Sequence, residues 1–171
     1  MQKIQNFIFH NEKMSVFWLV VRLYVGYEWL VAGYEKAINP VWAGDKAGVA
    51  IGGFVKGALA KTVGEHPDVS SWYAWFLNHA VVPHAVAWSY AITYGEILVG
   101  LGLIFGALTF VAAFFGFFMN LNYLFAGTVS TNPQLLVLAL LIMLAHKVAG
   151  RIGLDYYIHN AKKSWALFRF S

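Results

Sequence analysis

Four apolar runs, each close to the length a helix needs to cross a bilayer, constrain this chain more than any other feature. A membrane helix takes about 20 predominantly apolar residues, because the hydrocarbon core is roughly 30 Å thick. The runs are 15–34, 86–107, 109–127 and 134–150. The last is the shortest, yet its core, LLVLALLIMLA, is the most apolar. Composition agrees with lipid as the solvent: 60% of the 171 residues are hydrophobic and only 12% are charged. An ordinary soluble domain is about 45–50% apolar and about 25% charged, and a chain this short has too much surface to hide the excess. A nucleic-acid binder, a cytosolic enzyme and a secreted disulfide scaffold are thereby disfavoured. The absence of cysteine removes thiol chemistry, iron–sulfur clusters and Cys-ligated zinc.

The runs predict an all-α membrane protein, a four-transmembrane-helix bundle formed by one membrane domain over residues 1–171. The second and third runs are separated only by Gly106 to Thr109 and form a tight antiparallel hairpin. The third and fourth are joined through Asn132 and Pro133, which end one helix and start the next. The first connection, 35–85, is about fifty residues long, too long for a structureless loop. Residues 49–63 and the i, i+3, i+4, i+7 series Trp72, Trp75, Phe76, His79 predict two short amphipathic helices at the membrane interface. The first run carries Arg22 and Glu28 and has no small-residue cleavage site after it, so it reads as a retained anchor.

An even number of spans puts both termini on one side. Seven basic residues flank the termini (Lys3, Lys13, Lys147, Arg151, Lys162, Lys163, Arg169), against four in the connection. That bias predicts a multi-pass plasma-membrane protein with cytoplasmic termini, an extracytoplasmic connection and a cytoplasmic tail over 151–171. The tail sequence KKSWALFRF is expected to lie along anionic headgroups. The net charge of +4 then reports orientation rather than an acidic ligand.

Polar groups inside spans are costly and usually functional. Here they are Arg22, Glu28, Glu96, Asn120, Asn122 and His146. At about 1.5 Å per residue from the cytoplasmic helix ends, Arg22 lies at roughly 10 Å, Glu96 and Asn120 at roughly 16 Å, and Glu28 at roughly 20 Å. Arg22 and Glu96 are therefore expected to form a buried ion pair. Arg22, Gly26, Trp29, Gly33 and Lys36 share one helix face, and Glu28 is turned about 120° from Arg22. Glu96 shares a face with Gly100 and Leu103, beside a small-residue stripe of Gly95, Val99, Gly102 and Gly106 suited to packing. Gly116, Asn120, Tyr123 and Gly127 align on the third span. Such a layer can simply pin helix register. A second buried carboxylate argues for function, because one arginine cannot neutralise both Glu28 and Glu96. His146, next to Lys147, reads as an interfacial histidine and a secondary candidate, as does Asn122. No metal or haem site is expected, since His146 is the only histidine in a span.

The runs Arg22-Leu-Tyr-Val-Gly26, Gly33-Tyr-Glu-Lys36 and Tyr94-Gly-Glu96-Ile-Leu-Val-Gly100-Leu-Gly102 resemble the DoxX/DoxD family. So do Phe118-Met-Asn120-Leu-Asn-Tyr123, Ala126-Gly127, Asn132-Pro133 and Gly153-Leu-Asp155, in that order over nearly the whole chain. The length and the long first connection are closer to DoxD than to the shorter DoxX proteins. The resemblance implies a four-helix membrane protein similar to the small subunit of thiosulfate:quinone oxidoreductase, which works with a separate DoxA subunit.

Two functions follow as expectations. In the first, the chain is a subunit of a quinone-linked oxidoreductase that transfers electrons from thiosulfate to quinone with a DoxA-like or other redox partner. Arg22 and Asn120 then donate hydrogen bonds to the quinone, Glu96 carries protons, and Trp29 or Tyr123 forms the walls, with Glu28 as a further candidate. In the second, it is a non-enzymatic membrane protein, either a partner-docking subunit or a small-solute or proton-coupled carrier using Glu28 and Glu96. A homodimer would answer the small size of the bundle.

Overall fold

The computed structural model describes residues 2–160, and within them the chain forms helices and loops with no strand. Helix α1 (Gln2–His10) leads through a capped turn into α2 (Ser15–Ala37), and α3 (Val49–Leu59) lies in the long connection. Helix α4 (Ser71–Phe76) continues through a wide turn, Leu77–Val81, and a tight one, Val82–His84, into α5 (Ala85–Phe105). Then come α6 (Thr109–Phe125), α7 (Asn132–Leu144) and the single turn α8 (His146–Ala149). A last helical stretch begins at residue 154. The tail KKSWALFRF lies outside the described residues.

Two continuous helical segments are long and apolar enough to cross a membrane, Glu12–Ala37 and Ser71–Phe105. Thr109–Phe125 and Asn132–Leu144 are shorter apolar helices. At about 1.5 Å per residue α7 rises only roughly 20 Å. The expected fourth run, 134–150, is thus divided near Ala145 rather than being one helix.

The connection also departs from expectation. Its second amphipathic stretch is not a separate helix but the first part of a 35-residue segment. Pro83 has no N–H and cannot join a regular ladder, so the helix is carried past it by altered turns instead of ending. Trp72 and Trp75 face outward from this segment, while Tyr73, Leu77 and Val81 bury inward with Ile51, Val55 and Ala58 of α3. The connection has its own apolar core, packed against Ala126 after α6 and against Trp88 and Ile92 of α5. Helix α1 was not foreseen. It packs back on α2, where Phe9 stacks on Trp18 and the Trp18 Nε1–H donates to the Ile8 carbonyl at 2.8 Å.

The register of α2 against α5 decides everything that follows. These helices run antiparallel and meet through glycines on both sides. A Cβ on Gly33 would fall 2.7 Å from the Ile97 backbone, and one on Gly26 would fall 3.0 Å from the Gly100 carbonyl. One on Gly100 would fall 2.6 Å from the Leu30 nitrogen. These distances leave room for hydrogen only. The seam therefore uses Gly26, Gly33 and Gly100, whereas Gly102 of the expected stripe packs on Ala112 of α6. Gly106 ends α5 with φ +62, and a side chain there would collide with the Arg22 guanidinium.

Gly100→Val should force α2 and α5 apart and destabilise the protein by about 1–3 kcal/mol or more. Gly52→Ala, on the open face of α3 with nothing within 4 Å, should be neutral or slightly stabilising. Thermal unfolding of the purified variants in detergent tests both, and equal melting temperatures would refute the seam.

Candidate functional site

The glycine seam places the last turn of α2 beside the middle of α5. There the Lys36 ammonium donates to Glu96 Oε2 at 2.7 Å. From α6, the Tyr123 hydroxyl donates to Glu96 Oε1 at 2.7 Å. Each oxygen of one carboxylate thus holds a different helix. Glu96 is only 1% exposed, while the Lys36 side chain keeps 20% of its surface accessible. Lys36 can leave the interior at its end of the site because it lies one residue from the end of α2. Burial of a carboxylate is tolerated only with a cation and hydrogen bonds in place.

Residues of the connection close the site from outside. Lys36 Nζ lies 5.2 Å from the centre of the Trp42 ring, a cation–π arrangement. The Trp42 carbonyl accepts from Ser89 Oγ at 2.6 Å, which fixes that loop to α5. The Phe54 ring of α3 meets the Tyr123 ring edge-on. The Tyr73 hydroxyl donates to the Asn122 carbonyl at 2.9 Å, and Lys61 Nζ donates to the Gly127 carbonyl at 2.5 Å. The lid is stitched to the end of α6, the helix that supplies Tyr123.

One helical turn deeper are polar groups without partners. Asn120 is fully buried, and neither its amide nitrogen nor its oxygen has a hydrogen-bond partner among the described residues. The same holds for Trp29 Nε1, which packs against Gly116, one turn before Asn120 on α6. Leaving such groups unsatisfied costs about 1–3 kcal/mol each.

The expected Arg22–Glu96 pair does not form. Arg22 faces the other end of α5, where its Nη1 donates to the Ala149 carbonyl at 3.0 Å and its Nη2 to the Ile152 carbonyl at 2.6 Å. Asp155 lies in the same cluster, its backbone N–H donating to the Gly106 carbonyl at 2.8 Å, without a direct bond to Arg22. Asp155 also caps α6, accepting from the Leu108 and Thr109 nitrogens at 2.7 and 2.8 Å. The error came from counting depth along each helix separately. The seam sets Gly33 against Ile97, so Arg22, eleven residues or about 16 Å earlier, falls at Gly106. Lys36 was missed as a site residue because it was assigned to the connection. Its place on the Arg22, Gly26, Trp29, Gly33 face was the signal that could have found it.

The other candidates disperse. Glu28 is half-buried on the flank of α2, turned away from the buried face of Arg22, Val25, Trp29 and Gly33, with no hydrogen bond or ion pair among the described residues. Asn122 Nδ2 bonds back to the Phe118 carbonyl and its Oδ1 accepts from Tyr73. His146 lies at the α7–α8 break, with Nδ1 at 2.9 Å from the Met143 carbonyl and its ring edge-on to Phe110. Among the described residues, no three His, Cys, Asp or Glu side chains converge on a point where an ion could sit.

Membrane-length apolar helices enclosing a buried ionic cluster define a helical membrane protein. The chain belongs to the DoxD family: the family model described as TQO small subunit DoxD matches residues 17–169. That description names the small subunit of thiosulfate:quinone oxidoreductase, and the family is membrane-associated. No curated protein and no solved structure matches it.

Lys36→Met should leave Glu96 buried without its cation, at a cost of about 3–5 kcal/mol. Adding Glu96→Gln to that variant should recover much of the loss. Unfolding titrations in mixed micelles measure this, and additive effects of the two substitutions would contradict the pairing.

Proposed function

We propose that the chain is an integral membrane subunit of a quinone-linked oxidoreductase, with four spans and cytoplasmic termini, working in electron transfer from thiosulfate to quinone with a separate partner subunit. The observation that carries this reading is a buried carboxylate bonded at both oxygens by titratable donors, one turn from the unpartnered Asn120 and two turns from the unpartnered Trp29 Nε1. A quinone ring oxygen accepts hydrogen bonds, and Asn120 and Trp29 have donors to give. Arg22, committed to two carbonyls at the far end, has no part in it. Trp29 and Tyr123 supply aromatic faces against which a ring can lie.

Reduction of a quinone to a quinol takes up two electrons and two protons. The electrons come from thiosulfate through the partner, because this chain carries no cysteine for thiol or cluster chemistry. Its own contribution is to hold the ring and move protons. The series Lys36, Glu96, Tyr123 runs from a partly exposed ammonium through a buried carboxylate to a partly buried phenol, by two 2.7 Å hydrogen bonds. A proton lost by Tyr123 is replaced through Glu96 from Lys36, which water reaches. Family membership supports the reaction class, and the hydrogen-bonded series supports the role of this subunit within it.

Thiosulfate-dependent quinone reduction by the purified chain, alone and with a DoxA-type partner, tests the reading. Glu96→Gln should lower the rate about 10²-fold or more while quinone still binds. Asn120→Leu should weaken quinone binding. Absence of quinone binding by the wild-type chain in both preparations would overturn the reading, as would full activity of Glu96→Gln.

A further inference from the structure

Glu28 lies on α2 roughly 20 Å from the Ser15 end and roughly 14 Å from the Ala37 end, at the middle of the helix. Beside it the outward surface of α2 carries two tyrosines among the aliphatic Val20 and Leu23. Tyr27 is 60% exposed and Tyr24 38%. The Tyr24 hydroxyl accepts from exposed Gln134 Nε2 of α7 at 3.2 Å, so the polar strip passes from one helix to the next. Elsewhere the outward faces conform to lipid, with Val20, Leu98, Phe115 and Val137 each more than half exposed. A carboxylate facing hydrocarbon is expensive, and such residues take a partner or line a polar cavity.

We propose that the strip Tyr24, Tyr27, Glu28 and Gln134 is the contact surface for a transmembrane helix of a different polypeptide, one presenting a lysine or arginine near its midpoint. This inference rests on the membrane reading above and extends it to the partner. The choice of partner follows from charge complementarity. Among the described residues, a second copy of this chain has no cation to offer at this depth: Arg22 is 1% exposed and bound to two carbonyls, and Lys36 is bound to Glu96. Lipid offers neither a cation nor a donor at mid-bilayer. A basic partner helix supplies the charge to Glu28 and finds further hydrogen bonding in the tyrosine hydroxyls and the Gln134 amide.

The test uses the full chain in phosphatidylcholine vesicles, labelled with an energy-transfer acceptor. Donor-labelled single-span peptides are Leu-rich and differ only at the central residue, which is Lys, Leu or Glu. The Lys peptide should associate with the wild type roughly five- to thirtyfold more tightly than the Leu peptide. Glu28→Gln, close in shape but uncharged, should abolish that preference, and Glu28→Lys should transfer it to the Glu peptide. Equal association of the Lys and Leu peptides with the wild type would overturn the proposal. So would a Lys preference that survives Glu28→Gln, or a Glu28→Gln effect confined to self-association of the chain. Quinone binding by the wild type is read separately in the same vesicles. Its absence there sinks the quinone reading and leaves the peptide preference to stand or fall alone.

Discussion

One carboxylate organises this protein. Glu96 binds Lys36 through one oxygen and Tyr123 through the other, so three helices converge on a group that could not stay charged in the interior without them. Water cannot substitute for either donor at 1% exposure. The bond is possible only because Gly33 and Gly100 let α2 and α5 approach until backbone meets backbone. Close approach sets the register, and the register brings Lys36 to Glu96. The lid residues Trp42 and Phe54 then close over a pair already in place.

The other mid-helix base is handled differently. Arg22 binds carbonyls at the end of α8 and just beyond it, and Asp155 caps α6 within the same cluster. This end of the molecule is a clasp, drawing the turn between α5 and α6 towards the segment after α8. The Lys36–Glu96–Tyr123 series lies at the opposite end, under the connection. Separating clasp from site leaves Glu96 with a lysine near the surface rather than an arginine at depth. Lysine can release a proton and arginine effectively cannot.

Much of this was legible in the sequence. Apolar runs and scarce charge revealed the helices and their solvent, and helical spacing put Arg22, Gly26, Trp29, Gly33 and Lys36 on one face. Glu96 and Asn120 stood out as polar groups in apolar surroundings, with Tyr123 on the same face as Asn120. Relative height did not emerge, because it depends on which glycines of two helices meet. That is a pairwise property no single helix displays. Arg22 and Glu96 looked like partners by charge and by separate depth counts, and the seam placed them at opposite ends of the interface. The continuity of α4 with α5 was hidden by Pro83, ordinarily a helix boundary, which altered turns accommodate. Helix α1 was hidden because its ordering depends on Trp18, ten residues after Ile8.

The central claim is the contact between Lys36 and Glu96. Solid-state NMR of the chain in lipid bilayers, with nitrogen-15 at lysine Nζ and arginine Nη and carbon-13 at glutamate Cδ, reads it as a dipolar coupling. The account predicts a coupling of direct-contact strength, consistent with the 2.7 Å separation of Nζ and Oε2, that vanishes in Lys36→Met. A Glu96 carbon coupled instead to the Arg22 guanidinium, or to no cation, would contradict it.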